Sequence, residues 1–219
     1  MATRFTGHDW TILADHVAPY PVEPGYVSTF NAAVREARTL TRRDLGTGRL
    51  THDQTPTLWA GVLVYLALLE QVGNSLRPWG GRSIVRQKGQ PKEYAVEKAL
   101  RQFGPPTITR RHRRLIYALR CAFAHEFGLY NPNKTSPEHC IAFQLDDEPG
   151  GPLVKWPRKP WNGRYADADL STSTCVNLIA VCDLAEDVIR SVRDHSAHVT
   201  LRSELTAGEL RKRYSFEVR

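Results

Sequence analysis

Apolar residues recur three and four positions apart along most of the chain, and this spacing predicts amphipathic helices. In the segment 27–43, Phe30, Val34 and Ala37 form one apolar stripe. The middle of segment 57–76 is apolar on all sides, so we expect that helix to be buried. The predicted helices span residues 27–43, 57–76, 92–103, about 107–128 and 170–199.

Cap residues and turn residues mark where these helices begin and end. Thr107 or Thr109 is the candidate N-cap of the fourth helix, and Gly128 is its predicted stop. Ser171 or Thr172 is the predicted N-cap of the last helix.

One part of the sequence alternates between apolar and polar residues, as a strand does. The strand predicted for residues 139–145 is followed by an acidic, glycine-rich turn and a returning strand at 152–156, which together predict a β-hairpin. The fold class expected is all-α, an antiparallel bundle of four or five helices with a small β-hairpin insertion. We expect an irregular, proline-rich segment at 1–24, one helical domain at 25–200 with its hairpin and tryptophan-rich loop at about 139–165, and a basic tail at 201–219.

Charge and cysteine usage narrow the class of protein. The 219 residues carry a formal net charge of +7, which favours nucleic acid as a partner. The longest apolar run, at 58–69, is too short to cross a bilayer core of about 30 Å, and the N-terminus is not a signal peptide. The four cysteines lack C-x-x-C spacing, so we expect reduced thiols in a cytoplasmic protein without a membrane segment.

Arg120 and His125 are the candidate catalytic residues. A guanidinium holds a phosphate through two parallel hydrogen bonds, and an imidazole transfers protons near neutral pH, so the pair suffices for cleaving RNA without a metal. Five residues at about 100° each place the two side chains roughly 140° apart around a regular helix. Their convergence requires Arg120 to wrap around the helix, the last turn to distort, or a second copy of the helix to face the first across a dimer axis. Otherwise Arg120 is a surface or ion-paired arginine and His125 a histidine of the C-terminal turn favoured by the helix dipole.

The segment Leu-Arg-Cys-Ala-Phe-Ala-His at 119–125, followed by Phe-Gly-Leu-Tyr-Asn at 127–131, resembles the R-x(4 to 6)-H signature of HEPN domains. Many members of that all-helical family are metal-independent endoribonucleases. The resemblance implies a homodimer whose two motif helices line one cleft, and a defence or toxin-like role in which a partner such as a cognate antitoxin restrains the protein. In the family the residue after the arginine is usually polar, whereas this chain has Cys121, a weaker hydrogen-bonding group.

Further residues are candidates to support the motif pair. Cys121, Tyr117 and Asn131 lie beside it in the sequence. Glu70 lies near the C-terminal end of the second helix, where a carboxylate is unfavourable for the helix dipole. It is either paired with a cation such as Arg120 or an exposed surface residue.

Basic and aromatic residues next to the motif are candidates for binding RNA. The candidates on the motif helix are Arg110, Arg111, Arg113 and Arg114, which alternatively form a solvated basic face. Trp156 and Trp161 alternate with basic residues in the loop at 155–165 and are candidates for stacking on unpaired bases, or else for pinning a proline-rich loop to the core.

The sequence favours a metal-independent endoribonuclease. The alternative is a non-catalytic module of the same fold that binds RNA or a nucleotide, and a helical DNA-binding regulator is a third reading that the paired prolines before the basic helix disfavour. No cofactor is expected. His195 and His198 share a helical face but lack a visible third ligand, so they predict a solvated helix end rather than a metal site.

Overall fold

The computed structural model describes residues 7–19, 26–51, 58–80, 93–126, 128–132 and 139–217. Within these ranges the α-helices are α1 Gly7–Val17, α2 Thr29–Leu40, α3 Leu58–Ser75, α4 Ala95–Phe103, α5 Arg110–Cys121, α6 Leu178–Ala197 and α7 Ala207–Tyr214. The strands are β1 Tyr26–Ser28, β2 Leu76–Pro78, β3 Tyr130–Asn131, β4 Ile141–Asp146, β5 Val154–Lys155, β6 Thr174–Asn177, β7 Leu201–Ser203 and β8 Ser215–Glu217.

The prediction of an all-α bundle is wrong, because the described chain is a mixed α/β fold. Its strands form two antiparallel ribbons, β1 with β8 and β2 with β7, and one four-stranded sheet in the order β3-β4-β6-β5. The ribbons join segments that are far apart in sequence, and such pairing leaves no signal in the local hydrophobic pattern. A helix occurs within each predicted helical segment, but strands of two to four residues are too brief to show an alternation.

The predicted hairpin is also wrong, although both of its strands exist. The strand β6 lies between them, parallel to β4 and antiparallel to β5. The residues of β6, Thr-Cys-Val-Asn, were assigned to the last helix, but α6 begins only at Leu178. Two β-branched residues in four favour the strand, and pairing on both sides satisfies its backbone.

The beginning of α6 explains why the predicted cap was misplaced. The side chain of Asn177 accepts a hydrogen bond from the Ala180 backbone N–H at 3.0 Å and donates one to the carbonyl of Glu148 at 2.7 Å. Ser171 and Thr172, the predicted caps, instead donate their backbone N–H groups to the carboxylate of Asp169. Those bonds close a local turn, and α6 begins at Leu178, eight residues later than the predicted start at residue 170.

The two ends of the chain belong to the fold more fully than the sequence suggested. The segment 1–24 was expected to be irregular, yet α1 runs through it and buries Leu13 and Val17 in the core. The tail at 201–219 contributes β7, β8 and the helix α7, which packs against α1. In the described ranges, none of the helices combines the length and the apolar character needed to cross a membrane.

A buried carboxylate, Glu186 on α6, joins three helices. Its side chain accepts two hydrogen bonds from Arg38 of α2, at 2.7 and 2.8 Å, and one from the hydroxyl of Tyr65 on α3 at 2.6 Å. Burial lowers the pKa of Arg38, but the hydrogen bond and the charge of Glu186 outweigh that effect and raise it. The turn after α2 closes over the pair at Gly48, whose φ of +73° and contact with the Glu186 carboxylate both exclude a side chain.

We expect Glu186→Gln to lower the free energy of unfolding by roughly 3–5 kcal/mol, because Arg38 would keep its charge in a buried site without an anionic partner. The measurement is urea denaturation at neutral pH. Asp187→Asn is the matched control, since it removes the adjacent exposed pair with Arg190 and should cost less than about 1 kcal/mol. If the two variants lose the same free energy of unfolding, the buried pair of Glu186 and Arg38 does not have this stabilising role.

His16 makes the stability of the fold depend on pH. It is buried between the rings of Phe30 and Tyr214, and burial lowers its pKa from about 6.5 to about 4. The unfolded chain therefore binds the proton more readily, and the contribution of neutral His16 to stability is present above about pH 6.5 and is lost as the pH falls towards 4.

We expect the free energy of unfolding to fall by about 2 kcal/mol more in the parent than in His16→Phe between pH 7.5 and pH 5. Phenylalanine does not titrate, so the variant lacks this slope whatever its stability at neutral pH. Urea denaturation at several pH values measures the difference, and parallel pH profiles would exclude His16 as its source.

Candidate functional site

The helix α5 carries the motif, and its start is fixed by a local cap. The hydroxyl of Thr109 accepts a hydrogen bond from the His112 backbone N–H, and the His112 ring accepts one from the Thr109 backbone N–H, each at 3.3 Å. Thr109 is thus one of the two N-caps predicted. Burial of Leu115, Ile116 and Leu119 packs the apolar side of α5 against the core.

Regular α-helical geometry ends at Cys121, where a π-helical turn at Ala122–Glu126 begins. The predicted helix was expected to continue to Gly128. Inside the π turn, Phe123 is fully buried and its ring stacks on Trp59 of α3 at 3.9 Å. That packing fixes the position of the turn, and such turns occur frequently at functional sites.

The π turn brings Arg120 and His125 together. Arg120 Nη1 lies 2.8 Å from His125 Nε2, within hydrogen-bond distance. In a π turn the hydrogen bonds connect residues five apart, and Arg120 and His125 have this separation. The distortion of the last turn therefore closes the angle of about 140° that a regular helix would leave between them. One chain suffices for the contact, so a second copy is not required for it.

Glu70 of α3 holds the other side of the Arg120 guanidinium. Its Oε2 accepts hydrogen bonds from Arg120 Nε at 2.9 Å and from Nη2 at 2.6 Å. Of the two alternatives for Glu70, the ion pair with Arg120 is therefore confirmed. These bonds and the contact with His125 occupy three of the five guanidinium N–H groups, leaving one on each terminal nitrogen.

The chemical state of His125 follows from its partner. Arginine only donates hydrogen bonds, so His125 Nε2 accepts in this contact and the proton of a neutral ring sits on Nδ1. The imidazole is exposed, while the Arg120 side chain is only 20% exposed. The contact therefore uses the one lone pair of Nε2, and the exposed ring lies beside a partly buried cation.

Tyr117 and Cys121 lie one turn apart on α5 beside an aromatic cluster. The Tyr117 ring stacks on Tyr94 at 3.8 Å and meets His139 edge-on at 5.1 Å. Burial raises the pKa of the Tyr117 phenol, and a hydrogen bond with Cys121 adds to the effect. Tyr117 therefore remains a neutral phenol at neutral pH, which suits a supporting role better than proton abstraction.

Two buried groups near these residues belong to the same region but were not foreseen. His139 Nε2 lies 3.2 Å from the Glu97 carboxylate, and both side chains are buried. The sequence indicated only that His139 begins a strand, and a polar residue next to a strand gives no sign of its partner on α4. Asn131, by contrast, was a predicted supporting residue; it lies on β3 and is buried, and its Nδ2 has no hydrogen-bond partner within the described ranges.

The basic patch on α5 divides into two faces. Arg110, Arg111 and Arg114 fall within about 100° of one another around the helix, whereas Arg113 lies about 20° from the direction of Arg120. The first three side chains line one cavity, while Arg113 Nη1 donates a hydrogen bond to the carbonyl of Ile108 at 3.0 Å. The structure therefore does not bring the four predicted RNA-binding arginines together.

The two predicted tryptophans line the same cavity. The guanidinium of Arg111 lies over the Trp156 ring at 3.7 Å from its centre. Trp161 is only 5% exposed, and its Nε1 donates a hydrogen bond to the carbonyl of Arg164 at 2.8 Å. Trp161 thus pins the loop to the core, one of the two alternatives expected, while Trp156 remains half-buried beside the arginines.

His195 and His198 each bond within their own chain segment. His195 Nδ1 lies 2.7 Å from the hydroxyl of Thr200, and His198 Nδ1 lies 2.7 Å from the carbonyl of Asp194. Among the residues whose placement is described, no three side chains of His, Cys, Asp or Glu form a group suited to a metal ion.

The helix α5 thus carries two chemically different places, one on each of two faces. At its C-terminal end, the π turn joins a cation, an acceptor imidazole and a carboxylate. At its N-terminal end, arginines face a cavity with aromatic walls. Comparison of the chain with protein-family models, curated proteins and solved structures finds no match, so the chemistry of these two places is the basis for assigning a function.

Proposed function

We propose that the protein is a metal-independent endoribonuclease that cleaves RNA at Arg120 and His125. The observation that carries this proposal is the 2.8 Å contact between Arg120 Nη1 and His125 Nε2, which the π turn creates. It places a proton acceptor beside a cation that retains two N–H groups for a phosphate. The resemblance of segment 119–131 to the HEPN signature agrees with this chemistry.

The proposed reaction is an internal transesterification. When RNA binds, Arg120 Nη1 turns from His125 to a phosphate oxygen, which frees the lone pair of His125 Nε2. His125 Nε2 then accepts the proton of a ribose 2′-hydroxyl, the 2′-oxygen forms a bond to phosphorus, and the bond from phosphorus to the 5′-oxygen breaks. The leaving oxygen takes a proton from water, and His125 returns its proton to solvent. Arg120 stabilises the negative charge that accumulates on the phosphate oxygens. The products are a 2′,3′-cyclic phosphate and a 5′-hydroxyl.

Glu70 acts as a positioning residue in this mechanism. Its carboxylate fixes two of the five guanidinium N–H groups, so the orientation of those that remain is set before RNA binds. Hydrogen-bond donors that are already oriented need little rearrangement when charge develops in the transition state. The half-buried phenol of Tyr117 and the thiol of Cys121, which share a hydrogen bond, precede the π turn on the same helix.

The remaining parts of the proposal come from the family resemblance and from cysteine usage. RNA is the proposed substrate, and a homodimer restrained by an antitoxin-like partner is the proposed assembly, with a defence role. The pair forms within one chain, so a dimer would widen the RNA-binding cleft rather than complete the pair. All four cysteines are free, which is consistent with a cytoplasmic location.

A second candidate function is a module that binds RNA or a nucleotide without cleaving it. Two observations favour it: Cys121 stands where the family usually has a more polar residue, and the basic cavity lies away from Arg120. The two candidates differ in whether RNA is cleaved, so product analysis separates them.

We expect His125→Ala to lower the rate of RNA cleavage by roughly 100-fold or more while RNA affinity is kept, because the proton acceptor is lost but the arginines remain. Arg120→Ala should lower both the rate of cleavage and the affinity for RNA. The measurement combines single-turnover cleavage of labelled RNA with excess chelator, mapping of the product ends, and a binding isotherm.

His198→Ala is the matched control, since this exposed histidine bonds only to its own helix. Each variant is first shown to keep the parent melting temperature. If folded His125→Ala cleaves as fast as the parent, or if cleavage needs an added divalent ion, the proposed mechanism is wrong. If the parent protein binds several different RNAs but cleaves none of them, the binding module is favoured.

We expect Glu70→Gln to reduce the maximal cleavage rate by about 10-fold with little change in RNA affinity, because the neutral amide holds the guanidinium less firmly. Glu93→Gln, which removes a similarly exposed ion pair with Arg101, should leave the rate unchanged. Single-turnover rates measured over a range of RNA concentrations separate the two parameters. A Glu70→Gln effect confined to affinity would contradict a positioning role.

A further inference from the structure

The cavity at the start of α5 has a volume of about 460 Å³, within the range of small-molecule sites. Three arginines of α5 form one side, and the beginning of β4 and the loop at 156–161 form the others. Just after this loop, Gly163 has a φ of +87°, which other residues rarely adopt, and a Cβ there would lie 3.0 Å from the thiol of Cys140.

The charged side chains that line this cavity are all arginines. Arg110, Arg111 and Arg114 line it, and none of its lining residues is a carboxylate. Arg110 is exposed, and neither Arg110 nor Arg111 forms an ion pair with any described residue. Burial and the charge of Arg111 lower the pKa of neighbouring His112, so the positive charge comes from the arginines. Arg110 and Arg111 therefore suit an anionic ligand group.

The contact between Arg111 and Trp156 prepares the rim for an anion. The guanidinium lies over the indole ring and uses its flat face for that contact. Its N–H groups lie in the guanidinium plane and remain available to phosphate oxygens. Stacking also restricts the rotamers of both side chains, so less conformational entropy is lost when a ligand binds.

Most of the other residues that line the cavity are apolar. Trp156, Pro157 and Pro160 come from the loop, Ile141 and Ala142 come from β4, and Thr172 and Thr174 add two hydroxyl groups. A ligand that fills the cavity therefore has an anionic end and a planar, largely apolar body. A nucleotide unit has both, since its phosphate carries the charge and its base has two flat faces that pack against aromatic rings.

We propose that this cavity binds one nucleoside monophosphate unit, with its phosphate on Arg110 and Arg111 and its base against the apolar lining to which Trp156, Pro157 and Pro160 contribute. The site goes beyond the proposed nuclease function, because it uses neither Arg120 nor His125. The unit is either a free nucleotide or the phosphorylated end of an RNA strand, and the two share the chemistry that the cavity recognises.

Isothermal titration calorimetry of the full chain with adenosine 5′-monophosphate, in buffer with chelator, tests the site. We expect the monophosphate to bind at least about 10-fold more tightly than adenosine or inorganic phosphate, since each of these fills only one half of the cavity. Equal affinity for the monophosphate and for inorganic phosphate would show that the base is not recognised and would overturn the proposal. Equal affinity for adenosine would overturn the phosphate assignment.

Substitutions locate the binding on the molecule. Arg110→Ala and Arg111→Ala should each weaken monophosphate binding about 10-fold, and Trp156→Leu should lower the affinity to that of inorganic phosphate. Arg110 is exposed, so its variant remains informative if another fails to fold. Arg113→Ala is the matched control, because Arg113 lies on the same helix outside the cavity. Loss of binding in Arg113→Ala alone would place the ligand elsewhere and overturn the proposal.

Competition by short RNAs identifies the source of the ligand. A strand with a 5′-phosphate that displaces the monophosphate, when the same strand with a 5′-hydroxyl does not, identifies a strand end. If neither strand displaces the monophosphate, the ligand is a free nucleotide. Either of these two outcomes supports the proposed site. His125→Ala should bind the monophosphate as the parent does, so the titration decides this proposal even if no RNA is cleaved.

Discussion

The buried carboxylate of Glu186 is the interaction on which the arrangement of the helices depends. It receives the guanidinium of Arg38 and the hydroxyl of Tyr65, and so fixes α2 and α3 against α6 in one orientation. Apolar packing alone would tolerate rotation of these helices, but a buried charge requires its partners at hydrogen-bond distance. Because α3 also carries Glu70, this constraint sets the position from which Arg120 is held.

The helix α5 is placed between two packed surfaces, and each produces one of its chemical features. Towards α3, the stacking of Phe123 on Trp59 holds the chain in a π turn, and the turn joins Arg120 to His125. Towards the four-stranded sheet, the beginning of β4 and the loop at 156–161 line a cavity together with arginines from the first turns of α5. The same helix therefore presents a proton-transfer pair at one end and an anion-binding rim at the other.

Local signals in the sequence predicted what depends on neighbouring residues. The stripe of Phe30, Val34 and Ala37 located α2 because helical periodicity needs no tertiary contact to be visible. Arg38 lies four residues after Val34 on that stripe, a position that indicates a buried side chain. The local sequence gives no sign that its partner is Glu186, which is 148 residues away. The strand β6 was missed for a related reason, since its pairing partners lie outside the local window.

The sequence alone determined the helical segments 29–40, 58–75 and 95–103 to within a few residues, and the residue types available for chemistry on α5. It left open whether Arg120 and His125 meet, because regular helical geometry keeps them apart. Only the tertiary structure decided that question, through the π turn that Phe123 stabilises against α3, and it also assigned Glu70 to Arg120. Periodicity is a property of neighbouring residues, whereas these contacts depend on elements that are brought together only when the core forms.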